Sequence, residues 1–389
     1  MTYAKGRVFH DADSHIMEMP DFLSAFADPA LKDKIPSIGF GGGGKTAEGK
    51  ITRYRLEGAA KDEKVERLTG LGDGLIAGPK GYEALGAFDG TERKAALDLL
   101  GFRKQLVFST FSVGVVFDER LAPDVAYGAA RAHNRAVADF CKGDDRLLGV
   151  AAIPLDHPDR AMEELEYAIS LGLGGVWVPH RTAGGRSPGH VDLDPFWARL
   201  AEARLPFLLH VGGHKLQIPK EWMNTGKPVP TDWLGGGENI RGKDMTSLHH
   251  MPETFLSTMV LDGVLERHPT LRGGAIELGA AWVPSMIRRL DQIADIWKKS
   301  EPALRELTRK PSQQITDQIR FTPYPFEDVG AMIRESNDKL YLFSSDYPHT
   351  EGGRNPLGRF EASLGEMSEE TRERFYTENF ADLYRGAGA

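Results

Sequence analysis

Eight short apolar runs alternate with longer helical patterns along the 389 residues, and several runs end in a polar residue capable of chemistry. The alternation predicts an α/β protein built on a parallel sheet. The polar run ends predict how that sheet closes. Asp13 and His15, His180, His210, Glu277 and Asp346 each stand just past an apolar run. In a (β/α)8 barrel the carboxyl ends of the strands converge on one mouth, whereas an open sheet spreads them along an edge. No Gly-x-Gly-x-x-Gly turn follows the first run, which weighs against a dinucleotide fold. The expected architecture is therefore a closed barrel.

Strands are expected over residues 7–11, 105–108, 147–155, 175–178, 206–210, 273–277, 319–321 and 340–343. Each is a short buried-type run bounded by Gly, Pro or polar residues. Periodicity alone does not separate such runs from buried helix, so the alternation carries the assignment. Residues 122–140 are Ala-rich with helical apolar spacing. Pro158 opens a helix reaching residue 171, in a first-turn position that suits proline. Asp194 is a candidate cap for a helix over 195–204. Further helices are expected over 254–266 and 283–299, and the tail, 368–384, reads as two more.

Two insertions interrupt the pattern. Residues 30–100 carry Gly41-Gly42-Gly43-Gly44, and residues 211–247 carry Trp222, Trp233 and Gly235-Gly236-Gly237. Long irregular segments inside a compact domain usually serve function. The chain is thus expected to be one barrel domain, 1–389, with both insertions covering the mouth. Trp222 and Trp233 either face substrate from a lid or pack on the barrel rim, since large aromatic surfaces serve both.

Composition narrows the function. The net charge of −8 opposes a general nucleic-acid footprint. Cys141 is the single cysteine, which excludes an internal disulfide framework and a Cys-rich zinc module. No signal-type apolar segment and no run of 18 apolar residues stands out, so a cytoplasmic protein without membrane contact is expected.

The densest polar cluster is His10-Asp11-Ala12-Asp13-Ser14-His15. Strand side chains alternate, so Asp13 and His15 share a face. Such a pair can grip a divalent cation, although taken alone it more often makes a local turn. His210 and Asp346 change the balance. Both end otherwise apolar runs, and an ionised Asp is seldom buried there without a partner. Asp13, His15, His210 and Asp346 form a mixed nitrogen and oxygen donor set suited to Zn or Mn. The competing reading makes Asp346 a helix cap and His210 a satisfied core histidine.

The order of motifs resembles a known family. The segments are Asp11-Ala12-Asp13-Ser14-His15, Leu148-Gly149-Val150-Ala151-Ala152-Ile153-Pro154-Leu155, Asp194-Pro195-Phe196-Trp197 and Leu205-Pro206-Phe207-Leu208-Leu209-His210. They continue with Gly263-Val264-Leu265-Glu266-Arg267-His268-Pro269, the stretch 277–289, Ser344-Ser345-Asp346-Tyr347-Pro348-His349 and Glu378-Asn379-Phe380. The chain resembles the aminocarboxymuconate-semialdehyde-decarboxylase-like branch of the amidohydrolase superfamily, the amidohydrolase 2 group. The resemblance implies a distorted (β/α)8 TIM barrel with long insertions, C-terminal helices and one divalent metal. It implies His210 and Asp346 as ligands beside Asp13-x-His15, where relatives carry His-x-His or Glu-x-His. No lysine follows the fourth strand, so the carboxylated lysine of binuclear relatives is not expected. It also implies a homodimer.

Many relatives place an acid/base histidine after the sixth strand; Glu277 stands there instead. A glutamate can move protons if its surroundings tune it. It can equally pair with Arg288 or Arg289 near a helix N-terminus. His349 is expected either to face the pocket beside Asp346 or to sit on a solvent-facing loop. His180 is a candidate substrate contact, and Arg186 a candidate clamp for a substrate carboxylate or a surface charge. Two carboxylate ligands leave a divalent ion formally neutral and favour substrate chelation over water activation. The expected reaction is nonoxidative decarboxylation of an aromatic or unsaturated carboxylic acid, with Glu277, Asp346 and His349 in catalytic roles. The alternatives are metal-assisted hydrolysis of an amide, ester or lactone, and a noncatalytic binding barrel.

Overall fold

The computed structural model describes residues 2–40, 49–214, 218–228 and 240–384. The apolar runs form short parallel strands: β1 (His10–Asp11), β2 (His15–Ile16), β3 (Lys104–Ser109), β4 (Leu147–Ala152), β5 (Gly175–Trp177), β6 (Phe207–His210), β7 (Gly273–Ile276) and β8 (Ile319–Phe321). Their order is β1-β3-β4-β5-β6-β7-β8, with β2 also on β3. Both faces of such a sheet are covered, which is why its strands read as nearly continuous apolar runs.

The first predicted strand, 7–11, is regular only at His10–Asp11, and a second short strand, His15–Ile16, follows it beyond the predicted range. Asp11 pairs opposite Gln105 and His15 opposite Phe108. Asp13 lies in the break between the two pairings. The eighth predicted strand, 340–343, makes no regular ladder, yet it occupies the closing position. Phe321 donates to the Leu340 carbonyl at 2.8 Å, and Leu342 donates to that of Phe321 at 2.9 Å. On its other side Ala12 donates to Phe343, Asp346 to Asp13 and His15 to Tyr347, at 3.1, 2.9 and 2.8 Å. Residues 340–347 therefore bond to both edges of the sheet and close the ring.

Helices form the outer layer. We label those used below α1 (Gly58–Thr69), α2 (Gly90–Leu100), α3 (Pro123–Cys141), α4 (Pro158–Ser170), α5 (Asp194–Ala203), α6 (His250–Leu261) and α7 (Val283–Trp297). Small residues bring α3 close to the sheet: a Cβ on Gly149 of β4 would sit 2.7 Å from Val137. The expected cap at Asp194 is a correction. Asp194 is the first residue of α5, makes no cap, and instead accepts from Arg267 Nε at 2.9 Å, with His268 Nε2 at 3.1 Å. The helix expected over 254–266 starts at His250 and breaks at Gly263, whose φ of 73° interrupts it. The tail is helical from Glu369 to Leu383 in three successive pieces rather than two. Among the described residues no helix is long and apolar enough to cross a membrane.

The first insertion contributes α1 and α2, and α2 reaches into the barrel wall. Arg93 is fully buried there. Its Nε donates to Gly86 O at 2.9 Å, its Nη1 to Ser14 Oγ and Gln105 Oε1 at 3.3 and 3.2 Å, and its Nη2 to the His15 carbonyl. Burial lowers it only to about 10, so it remains a cation at neutral pH.

Candidate metal centre

Six ionisable side chains meet at the carboxyl ends of the strands. Asp13 comes from the break between β1 and β2, His15 from β2, and His210 from the end of β6. Glu277 directly follows β7, and Asp346 and His349 come from the closing segment and the turn after it. All six are buried.

The backbone fixes the two histidines from behind. His15 Nδ1 lies 3.2 Å from the Ser109 carbonyl, and His210 Nδ1 lies 2.9 Å from that of Val211. Each Nδ1–H is thereby used, and each Nε2 lone pair faces inward. His15 Nε2 sits 3.2 Å from Asp13 Oδ1 and 3.6 Å from both Glu277 Oε2 and Asp346 Oδ1. His210 Nε2 is 3.3 Å from Asp13 Oδ1 and 3.3 Å from Glu277 Oε2. The His210 ring is walled by Phe108 and Trp177, with centroids at 4.4 and 4.8 Å.

Asp346 and His349 complete the cluster. His349 stacks on His15 at 3.9 Å. Thr110 Oγ1 donates to the Ile16 carbonyl at 2.8 Å, so it accepts from His349 Nε2 at 3.0 Å. His349 Nδ1 lies 3.0 Å from Asp346 Oδ1 without forming a hydrogen bond.

The donor set fits a divalent cation. His15 Nε2 and both Asp346 carboxylate oxygens are buried with no hydrogen-bond partner. Buried polar atoms are normally satisfied, so atoms aimed at a shared point imply something to be bound there. One ligand atom from each of Asp13, His15, His210 and Glu277 lies within 4.8 Å of the others, and the same holds for His15, Glu277, Asp346 and His349. As protein groups alone they oppose one another. Burial, then the Asp13 charge, raises Asp346 well above the carboxylate range. Asp13 is held low despite its burial, chiefly by His210 and His15. His15 is raised despite burial by Asp13 and Glu277, while burial lowers His210 and His349. A dication compensates the carboxylates while imidazole lone pairs stay available.

Two residues of the cluster hold unusual backbone. Glu277 has φ 54° and Asp346 φ 52°, the left-handed region. Such strain persists where surroundings enforce it. Glu277 N–H donates to Thr322 Oγ1 and its carbonyl accepts from Tyr324 Oη, both at 2.8 Å. Beside Asp346, Gly352 passes so close that a Cβ would lie 2.1 Å from the Ser345 carbonyl. Arg288 and Arg289, the other expected partners of Glu277, instead face Glu335 at 3.7 Å and Glu253. His349 is fully buried, not solvent-facing.

The remaining expected residues lie outside this cluster. His180 is buried, its Nδ1 has no hydrogen-bond partner, and burial with His214 and His210 lowers it to about 3. Gly213 passes against it, where a Cβ would lie 2.7 Å from Nδ1. Arg186 Nε pairs with Asp192 at 3.0 Å. Trp222 is 71% exposed. Trp233 lies outside the described residues. Cys141 is buried and its thiol is pushed up to about 12 by burial, as packing requires.

Sequence reasoning passed over the residues that hold the cluster in place. Asp11 accepts from Ser345 N–H (2.7 Å), Ser345 Oγ (2.6 Å) and Gln105 Nε2 (2.8 Å), and burial lifts it to about 7. Buried Glu18 accepts from the backbone of Thr110, Phe111 and Ser112 at 2.8–3.1 Å, fixing the loop that carries Thr110. Arg93 braces the His15 carbonyl from 78 residues away. Asp11 had a signal, since it shares a face with Asp13; Arg93 had none.

Comparison with known proteins agrees with this geometry. The family model described as amidohydrolase matches residues 106–386. The chain belongs to the amidohydrolase family. It is 28% identical over 236 residues to a gamma-resorcylate decarboxylase of Rhodococcus jostii, covering 57% of this chain and 67% of that protein. An amidohydrolase of Mycobacterium avium subsp. paratuberculosis superposes with a TM-score of 0.70 at 22% identity, over 97% of this chain and 98% of that one. A dihydroxybenzoic acid decarboxylase of a Polaromonas species, with bound manganese and 2-nitroresorcinol, superposes at 0.62 with 18% identity, over 100% and 98%. These neighbours share the barrel fold.

Proposed function

We propose that this amidohydrolase is a metal-dependent nonoxidative decarboxylase of an aromatic carboxylic acid. The observation that carries the reading is the inward aim of both histidine Nε2 atoms at buried carboxylates, with each Nδ1 spent on a backbone carbonyl. Support comes from the gamma-resorcylate decarboxylase similarity and from the manganese in the Polaromonas neighbour.

Asp13, His15, His210 and Asp346 would hold the ion. Such an ion would supply the positive charge that holds an anionic substrate carboxylate in the site. Glu277 is placed to act on the ring. Its Oε2 lies 3.3 Å from His210 Nε2, and it borders a narrow crevice with Asp13, Tyr324, Ser344 and Asp346. Protonated Glu277 delivers a proton to the ring carbon bearing the carboxylate. The C–C bond then breaks, its electron pair restores the aromatic ring, and CO₂ leaves. Solvent returns the proton to Glu277. Asp346 is the second candidate acid, with His349 Nδ1 3.0 Å from its Oδ1. His180 offers an unprotonated nitrogen to a substrate hydroxyl. In this reading Trp222 and Trp233 act from the second insertion, and Arg186 stays with Asp192.

The experiment pairs metal analysis with a substrate panel. Purified protein should carry stoichiometric Mn or Zn and release CO₂ from hydroxylated benzoates. Cleavage of amides, esters or lactones without CO₂ release would make it a hydrolase. Metal at trace level with no turnover would leave a binding barrel.

A further inference from the structure

A second charged cavity lies at the opposite end of the barrel. Its volume is about 460 Å³, and its cationic lining is Arg272, Arg309, Arg320, Lys339 and Arg374. Two carboxylates, Asp317 and Asp382, also face it. Arg272 directly precedes β7, Arg320 lies in β8, and Lys339 precedes the closing segment. The cavity thus sits at the amino ends of the strands, away from the metal cluster.

The cations differ in how well they are matched. Arg374 has Glu370, Asp338 and Glu378 at 3.2, 3.4 and 3.6 Å, and Arg309 has Glu266 at 3.7 Å. Lys339 is exposed and enters no ion pair among the described residues. Arg320 is only 2% exposed. Its Nη1 donates to the Thr316 and Ile319 carbonyls at 2.9 and 2.8 Å, and its Nη2 reaches Asp382 at 3.5 Å. Its Nε is buried with no hydrogen-bond partner. A guanidinium out of water is costly unless counter-charge and hydrogen bonds are close. Burial, joined by the like charge of Arg272 and opposed by Asp382, draws Arg320 down to about 10.

We propose that this cavity binds a phosphate-class oxyanion, free or as the head of a small phosphate ester, with Arg320 and Lys339 as its principal cationic contacts. A planar guanidinium matches oxyanion geometry, and an ammonium adds a mobile point charge. The volume lies in the range of small-molecule sites, roughly 300–1,000 Å³, so an organic substituent fits. The inference is independent of the reaction at the mouth.

The test is calorimetric titration of the metal-loaded full chain with inorganic phosphate, glycerol phosphate and benzoate, at matched ionic strength in chloride. Phosphate also ligates metals, so His210→Ala is titrated in parallel. Phosphate should bind both proteins, and Lys339→Ala should weaken it at least about tenfold, or about 1.4 kcal/mol. Arg320→Gln should do the same where it folds; the exposed Lys339 keeps the test decisive if it does not. Tighter binding of glycerol phosphate assigns the natural ligand to an ester, and equal binding to the free ion. The proposal is overturned if phosphate heat does not exceed the chloride control. It is equally overturned if benzoate binds as well, or if Lys339→Ala leaves affinity unchanged.

Discussion

At the carboxyl ends of the strands, three buried carboxylates and three buried imidazoles crowd together, with contacts of 3.0–3.6 Å. At the amino ends, five cations line an open cavity and lean mostly on backbone carbonyls and flanking carboxylates. The mouth keeps like charges together on left-handed backbone at Glu277 and Asp346. The far end shows no such strain among its lining residues. Proteins tolerate mutual repulsion and backbone strain chiefly where function requires them. The difference therefore assigns chemistry to the mouth and, at most, recognition to the base.

That contrast can be tested from its strongest effect downward. Removing His210 or Asp346, as His210→Ala or Asp346→Asn, should abolish both turnover and stoichiometric metal by elemental analysis. Retained metal in either variant would break the assignment of the mouth. Glu277→Gln should lower turnover about 10²–10⁴-fold, the usual worth of a positioned acid or base, while metal content stays stoichiometric. Metal loss instead would make Glu277 a ligand, as its place within the donor cluster permits. Arg93→Met should cost roughly 3 kcal/mol in denaturant unfolding, because orphaned buried carbonyls cost about 1–3 kcal/mol each. It should also weaken metal binding, since the His15 carbonyl loses its brace.

The helical wall between the two ends supplies an internal reference. His133 on α3 is fully buried and lowered by burial from 6.5 to about 4. The unfolded chain takes up that proton first, so stability contributed at neutral pH is lost as pH falls from 6.5 toward 4. At about 1.36 kcal/mol per unit the full effect is roughly 3 kcal/mol. His133→Asn should flatten this limb of the pH–stability curve, and an unchanged limb would place the acid sensitivity elsewhere. The smallest effect is expected at the base: Lys339→Ala should shift unfolding in phosphate-free buffer by less than about 0.5 kcal/mol, as exposed sites do.

Much of the fold was readable from the chain because buried parallel strands leave apolar runs and their ends leave polar residues. Seven of the eight expected runs contained a strand, although in the first, 7–11, it was only the polar pair His10–Asp11. Residues 340–343 did not, because that stretch is shared between two edges and bonds irregularly to each. Asp13, His15, His210, Glu277 and Asp346 stood out by position, since each breaks an apolar pattern or follows one, as did His180, which lies outside the cluster; His349 stood out only by its nearness to Asp346, with a solvent-facing loop as readily expected. Their supports did not. Arg93, Glu18 and Thr110 act through backbone carbonyls and amides far away in sequence, and a side chain's backbone partner leaves no pattern. Asp194 misled because a carboxylate before a helical run suits a cap or a tertiary ion pair equally well.

The closing segment has a kinetic consequence. Its bond from Ser345 to Asp11 spans 334 residues, so the ring meets only after almost the entire polypeptide has been made and arranged. Contacts of such sequence separation form late, since the intervening loop must first lose its entropy. The cation's pocket is then among the last parts of the molecule to exist. A nascent or truncated form ending before residue 340 would expose two unpaired sheet margins, the kind of surface that invites aggregation. Uptake of metal during refolding would in turn time-stamp the moment the circle shuts.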